Sequence, residues 1–250
     1  MYDKKFEIEK KKIIKKNRSS KKFFNLTKKF NTEASLNKYT YSFNWLGVPI
    51  IQYPQDIIIM QELIYKVKPD LIIETGVARS GSLILYSSLL ALITKNYRVI
   101  GVDLDIRSHA RKVLLNHKFS KKITTFEGSS NNKKILNKIL KITKKFKKVL
   151  VCLDSDHTHN HVLKELENYS NFVSKNSYIV IFDTTQGMFD KRNIKKISKI
   201  YKYKPWGIKS NPLTAVKEFL KTNKNFVVDN NYFDKALISN CYSGFLRRIK

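Results

Sequence analysis

The 250-residue chain holds only two cysteines, five prolines and 20 acidic residues, and its apolar runs are short. The cysteines, Cys152 and Cys241, lack the spacing of a metal clip, and Cys152 lies inside an apolar run where a buried thiol is common, so no disulfide is expected. Runs such as Leu71 to Ile73 and Tyr178 to Phe182 end after about five residues, far short of the roughly 20 that a spanning helix needs. No transmembrane segment is expected. The opening Met-Tyr-Asp-Lys-Lys has no apolar stretch behind its basic residues, so no secretory signal is expected either. The expected location is the cytoplasm, with the inner membrane face as a peripheral station. Dinucleotide and P-loop chemistry lose their signatures, because G-x-G-x-x-G and the Walker lysine are both missing.

Lysine is abundant. The chain carries 49 basic residues and a formal net charge of +29, with a pI near 10.0, enough for polyanion binding. The excess is lysine rather than arginine, is spread along the chain and travels with abundant Asn and Ile, a pattern of AT-biased coding. A specific nucleic-acid role is therefore not expected. Two clusters stand out. Residues 1–30 carry twelve basic and three acidic side chains. Lys133 to Lys148 holds eight lysines and no acid, with Ile135, Leu136, Ile139, Leu140 and Ile142 as the apolar stripe of a helix. Either cluster suits an anionic membrane surface.

With 42% hydrophobic and 12% aromatic residues, disorder is excluded as the main state. Residues 1–44 form a polar, weakly patterned extension, expected to be helical or partly disordered and outside the core; residues 45–250 form the fold proper. A helix is predicted from Pro54 through Ile57, Ile58, Met60, Leu63 and Ile64 to before Pro69. Then Leu71–Ile73, Val99–Val102, Val149–Leu153 and Tyr178–Phe182 read as strands buried on both faces, with a weaker one at Ile123–Phe126. Helical stretches at Ser82–Thr94, Arg107–His117, Lys133–Lys145 and His161–Val173 separate them. This alternation predicts an α/β, doubly wound, Rossmann-like sheet, mostly parallel.

Acids end the four long runs: Glu74, Asp103, Asp154 and Asp183. Ligands of an open parallel sheet bind at the carboxyl ends of its strands, so these side chains are expected along one cleft; capping of the following helices is the alternative. In the first turn, Glu74-Thr75-Gly76-Val77-Ala78-Arg79-Ser80-Gly81-Ser82, the glutamate would repel a pyrophosphate and suits a cationic or hydroxyl-bearing ligand. S-adenosylmethionine has both features. Its contacts are expected at Glu74, Thr75, Gly76, Ser80, Gly81 and Ser82, with Asp103 or Asp105 for the ribose diol and Ser129 and Ser130 flanking the adenine.

The stretch Asp154-Ser155-Asp156-His157-Thr158-His159-Asn160-His161 packs two acids and three histidines behind a strand. Its carboxylates, with Asp183, favour a hard cation such as magnesium. Histidines at spacing two cannot all face one point if a helix begins there, which argues against zinc. His157 is the candidate general base, beside Asp154 as the second catalytic residue, whereas His161 is expected to serve the helix. Tyr39, Tyr41, Phe43 and Trp45 either line an acceptor pocket or pack the extension onto the core, with packing preferred.

Several motifs resemble the cephalosporin hydroxylase family, whose members include class I S-adenosylmethionine-dependent O-methyltransferases acting on antibiotics and on sugars such as rhamnosyl residues. They are Trp-Leu-Gly-Val-Pro-Ile (45–50), Pro-Gln-Asp (54–56), Lys-Pro-Asp-Leu-Ile-Ile-Glu-Thr-Gly-Val-Ala (68–78), Gly-Val-Asp-Leu-Asp-Ile-Arg (101–107), Leu-Asp-Ser-Asp-His (153–157), Asp183-Thr184 and Pro205-Trp206-Gly207. The resemblance implies a seven-stranded sheet ending in an antiparallel hairpin, Lys235–Ser239 with Gly244–Arg248, a cofactor contact at Arg107, and magnesium at the strand ends. Members often carry Glu-Asp where this chain has Phe182-Asp183, which leaves Asp156 as the expected compensating ligand. The implied activity is magnesium-assisted methyl transfer to a hydroxyl of a small polar acceptor, a sugar or glycolipid. Whether the chain forms a homo-oligomer is left open by the sequence. The alternative is a basic nucleic-acid- or lipid-binding module on the same fold without catalysis.

Overall fold

Two lysine-rich helices open the chain, α1 (Lys4–Ser19) and α2 (Lys21–Leu36), in a computed structural model that describes residues 3–201 and 207–250. Asp3 caps the first, its carboxylate accepting from the amides of Lys5 and Phe6, and the Ser20 hydroxyl caps the second by accepting from Phe23. α1 buries no side chain. α2 does not stand outside the core as expected: it buries Thr27, Asn31, Thr32 and Ala34 against the rest of the fold. A short antiparallel pair follows, β1 (Phe43–Trp45) and β2 (Val48–Ile50).

Next come α3 (Pro54–Val67), β3 (Leu71–Thr75), α4 (Gly81–Ile93), β4 (Arg98–Asp103), α5 (Ser108–Asn116), β5 (Ile123–Glu127), α6 (Lys133–Thr143), β6 (Val149–Leu153), α7 (His159–Tyr169) and β7 (Tyr178–Ile181). α8 (Lys191–Ile200), α9 (Pro212–Thr222), β8 (Phe226–Val228), α10 (Asn231–Ala236) and β9 (Phe245–Arg248) complete the order. The main sheet runs β5-β4-β3-β6-β7-β9-β8, parallel from β5 to β7, with β9 antiparallel to both neighbours. Both faces are covered, which is why the strand sequences are continuously apolar rather than alternating. Ile72, Val99 and Leu150 face α3 and α4 with Met60, Leu63 and Tyr86; Leu71, Ile73 and Val151 face the opposite core of Leu166, Val216 and Phe219.

The C-terminal pair departs from expectation. Lys235–Ser239 is not a strand; Lys235 and Ala236 close α10, and Leu237 turns the backbone at φ 57°. The partner of β9 is Phe226–Val228, a β-favouring triplet whose Phe226 opposes Arg248 and whose Val228 opposes Leu246. Tyr232 and Phe233 of α10 are buried. Of the motif at 205–207, Pro205 and Trp206 lie outside the described residues.

Candidate functional site

Because β3, β4, β6 and β7 are parallel, their carboxyl ends share one edge, and a cavity of about 730 Å³ opens there, within the size range of small-molecule sites. Glycine fixes its floor. Gly76 turns at φ 90°, and a Cβ there would lie 2.0 Å from the carbonyl oxygen of Asp154, so the first turn presses on the end of β6. Gly81, where a Cβ would lie 2.2 Å from the carbonyl oxygen of Pro49, lets β2 cross the start of α4.

The strand-end acids have different fates. Asp103 lines the cavity and stitches the first turn in place: its Oδ2 accepts from the amides of Val77 (2.7 Å) and Ala78 (3.1 Å), its Oδ1 from that of Asp105 (3.2 Å). Asp105 and Arg107 sit on the cavity rim as an exposed pair 3.8 Å apart, a geometry of little energetic weight. Glu74 turns away from the cavity. It is fully buried, accepting from the Ser82 hydroxyl at 2.6 Å and the Tyr86 hydroxyl at 3.1 Å, and burial pushes its carboxyl up to about 8. Thr75 and Ser80 are buried too, and Ser80 serves the turn: its amide donates to Val77 at 2.7 Å and its carbonyl accepts from Ile84 at 3.1 Å. Gly81 and Ser82 flank a small side pocket. The first-turn residues that reach the main cavity are Gly76, Ala78 and Arg79, of which sequence reasoning missed the last two.

Glu74 makes stability depend on pH. A carboxyl raised from 4.5 to about 8 holds in the native state a proton the unfolded chain has already lost. Stability is therefore highest below about pH 4.5 with respect to this group and falls until about pH 8, by on the order of 5 kcal/mol. Glu74→Gln keeps an acceptor for Ser82 and Tyr86 and loses the titration, so its melting temperature should exceed that of the wild type near pH 8. Asp56, raised to about 7 by burial while its Oδ2 accepts from the Asn240 amide at 2.8 Å, contributes to the slope that remains. Equal pH profiles for wild type and Glu74→Gln would refute this assignment.

The histidines diverge. His157 is 4% exposed and brings Nε2 to 3.2 Å from Asp183 Oδ2 and 3.9 Å from Asp154 Oδ1. His159 points to α9, with Nδ1 2.8 Å from the Thr214 hydroxyl and Nε2 3.2 Å from Glu218. His161 lines the cavity from the first turn of α7, where its Nε2 meets the Ser130 hydroxyl at 3.0 Å and the buried Glu165 at 3.3 Å. Ser129 and Ser130 reach the cavity behind β5, as expected.

Asp154, His157 and Asp183 offer ligand atoms all within 4.8 Å of one another, the one such group among the described residues. Asp156 is not part of it. Its Oδ1 accepts from the Thr158 amide at 2.8 Å, opening α7; burial works to raise its carboxyl, but the Thr158 bonds and the nearby His161 and His157 hold it below the usual carboxylate range. Asp183 stands at φ 59°, a left-handed conformation that aspartate tolerates and that aims its carboxylate at His157. Phe182, where a carboxylate was expected in the family, is packed in the core and also lines the cavity.

The opposite wall was foreseen only at Tyr41, and there as the less favoured alternative. Ala34 and Ser35 of α2, Tyr41, Tyr53 and Tyr201 line it, and the Tyr201 hydroxyl donates to the Ser35 carbonyl at 3.1 Å. Burial, Asp183 and Asp154 together raise the Tyr41 phenol, which places it across from the acids. Of the aromatics weighed from sequence, Tyr41 lines the cavity, Tyr39 packs on Phe43 with centroids 5.1 Å apart, and the Trp45 indole donates to Ser88 at 2.9 Å.

A family model described as rhamnosyl O-methyltransferase/CmcI matches residues 37–249. The chain belongs to this family. Rhamnosyl O-methyltransferase of Mycobacterium tuberculosis (strain H37Rv) is 27% identical over 146 residues, 56% of this chain and 56% of that protein. The Mycobacterium leprae relative is 25% identical over 144 residues, 56% of this chain and 59% of its own. The matches thus span little more than half of the curated relatives. Among solved structures, CmcI with Mg and SAM superposes with a TM-score of 0.57 at 19% identity, covering 84% of this chain and 78% of that one. MycE in complex with Mg, SAH and mycinamycin VI gives 0.51 at 16%, covering 88% and 54%. At these identities the likeness is one of fold. No helix among the described residues is long and apolar enough to cross a membrane.

Proposed function

We propose that this protein transfers a methyl group from S-adenosylmethionine to a hydroxyl oxygen of a sugar or similar small polyol, assisted by a divalent cation. The observation that carries this reading is the convergence of Asp154, His157 and Asp183 on a cavity whose neighbouring floor is the Gly76 turn. Asp154 and Asp183 offer carboxylate oxygens within 4.8 Å of each other and of His157, and two carboxylates suit a hard cation.

The methyl donor occupies the half of the cavity bounded by Gly76, Ala78, Arg79, Asp103, Asp105, Arg107, Ser129 and Ser130. Glu74, Thr75 and Ser80 act from behind, keeping the turn in shape. Asp154 and Asp183 would hold a magnesium ion, which would polarise the acceptor hydroxyl, lower its pKa and orient the acceptor. His157 is placed to take the hydroxyl proton, and the two flanking carboxylates stabilise the imidazolium that results. Holding donor and acceptor in line supplies much of the acceleration. Tyr41, Tyr53 and Tyr201 offer the acceptor ring faces and phenol hydroxyls, the amphipathic surface that a sugar presents in mirror image.

The division of labour between His157 and the carboxylates is separable. His157→Ala should lower kcat by roughly a hundredfold or more while leaving magnesium affinity within a few-fold of wild type. A large loss of magnesium binding in this variant would make His157 a ligand rather than the base. The acceptor class is tested with methyl-labelled donor against rhamnosides, other deoxyhexosides and catechols. Labelled sugar is the expected product; exclusive labelling of catechol would overturn the sugar reading.

A further inference from the structure

Among the described residues, the basic N-terminal helices carry large apolar side chains that stay exposed. On α2, Phe23 (41% exposed), Leu26 (54%) and Phe30 (38%) stand at i, i+3 and i+7, one stripe along the helix. The stripe borders the face of α2 that meets the protein, since the buried Thr27 and Ala34 stand four residues after Phe23 and Phe30. Phe6, Ile8 and Ile13 of α1 are exposed as well, among lysines that stay in water. The second lysine cluster behaves otherwise: α6 turns Ile135 and Ile139 into the core and packs Leu136 and Ile142 against it.

The stripe is continuous with the cavity. Phe30 meets Tyr39 edge-on with centroids 5.6 Å apart and lies 6.3 Å from Tyr53, which lines the cavity, as do Ala34 and Ser35 one helical turn further along α2. The hairpin is anchored to the fold by Arg18, whose guanidinium donates to Asp234 at 2.7 Å.

We propose that the α1–α2 hairpin docks on an anionic lipid bilayer, seating Phe23, Leu26 and Phe30 at the headgroup–acyl boundary with its lysines on the anionic headgroups. Charge complementarity selects this occupant. Twelve basic side chains against three acidic ones in residues 1–30 repel a second copy of a chain whose net charge is +29, and they attract an anionic surface. Interfacial helices bind by this combination of buried apolar side chains and basic flanks. Docking brings the α2 side of the molecule, whose Ala34 and Ser35 line the cavity, up to the bilayer, so acceptors carried by that bilayer reach the site. This last step rests on the methyl-transfer reading; the docking does not.

The test is co-sedimentation of the full chain with phosphatidylcholine vesicles, with and without phosphatidylglycerol, in the absence of donor and acceptor, so that it reads docking alone. Wild type should bind the anionic vesicles, weaken as salt rises, and ignore the neutral ones. Phe23→Ser/Leu26→Ser, both exposed positions, should retain the circular dichroism spectrum and lose roughly a hundredfold in vesicle affinity. Three results would overturn the proposal. They are no sedimentation of wild type with anionic vesicles, equal binding by the double variant, which would make the hairpin a plain polyanion surface, and a wild-type dimer that the double variant dissolves. A failure of methyl transfer with vesicle binding intact would remove only the step that presents the acceptor.

Discussion

Asp183→Asn should abolish methyl transfer while S-adenosylmethionine still binds. The substitution keeps the side chain's volume and its left-handed backbone, which asparagine also tolerates, so the fold is spared. It removes a charge from the group where Asp183 Oδ2 stands 3.2 Å from His157 and offers, with Asp154, a ligand atom for the proposed cation. Two losses follow together. The cation is held by a single carboxylate, and the imidazolium formed at His157 keeps only the more distant partner, Asp154 at 3.9 Å. A thousandfold fall in kcat corresponds to about 4 kcal/mol of transition-state stabilisation, within what a polarising metal supplies. The donor should bind within a few-fold of wild type, because Asp183 is assigned to the cation and not to the donor. Steady-state kinetics with calorimetry on the same preparation checks both halves, and full activity in the variant would remove the cation from the mechanism.

Asp103→Ala should do the reverse and remove donor binding. Its Oδ2 accepts two successive amides of the first turn, at 2.7 Å and 3.1 Å, and its carboxylate is also a cavity wall. Truncation leaves the Val77 and Ala78 amides without that acceptor and frees a turn that runs through left-handed Ala78 and Ser80. The expected cost is about 2 kcal/mol in stability and a fall of roughly a hundredfold in donor affinity. Asp103→Asn retains an oxygen for the same amides and should recover most of the stability. If Asp103→Ala binds the donor as wild type does, the site lies elsewhere than at the β3–β4 edge.

The contrast between the two variants mirrors what could be read from the chain. Strands buried on both faces announce themselves as continuous apolar runs, so β3, β4, β6 and β7, and the acids behind them, were legible. Direction of side chain was not. Glu74 reads as a strand-end acid like Asp103 and Asp154, but the register sets it back inside β3, opposite Gly101 and Cys152, where Ser82 and Tyr86 of α4 meet it. Asp156 looked equivalent to Asp154, but the helix that starts three residues later claims its carboxylate through Thr158. The strand at Phe226–Val228 was missed because three residues give little pattern, and its neighbour Lys235–Ser239 offered a comparable one. The tyrosine wall joins residues 41, 53 and 201, a juxtaposition that only tertiary packing produces.

The central claim is that the edge of the parallel sheet holds a methyl donor beside a divalent cation, and calorimetric titration tests it most directly. S-adenosylmethionine and S-adenosylhomocysteine would be titrated, with and without magnesium, into wild type, Asp183→Asn and Asp103→Ala. Saturable binding of both ligands to wild type and Asp183→Asn, lost in Asp103→Ala, is the predicted result. Absence of binding to wild type under every condition would contradict it.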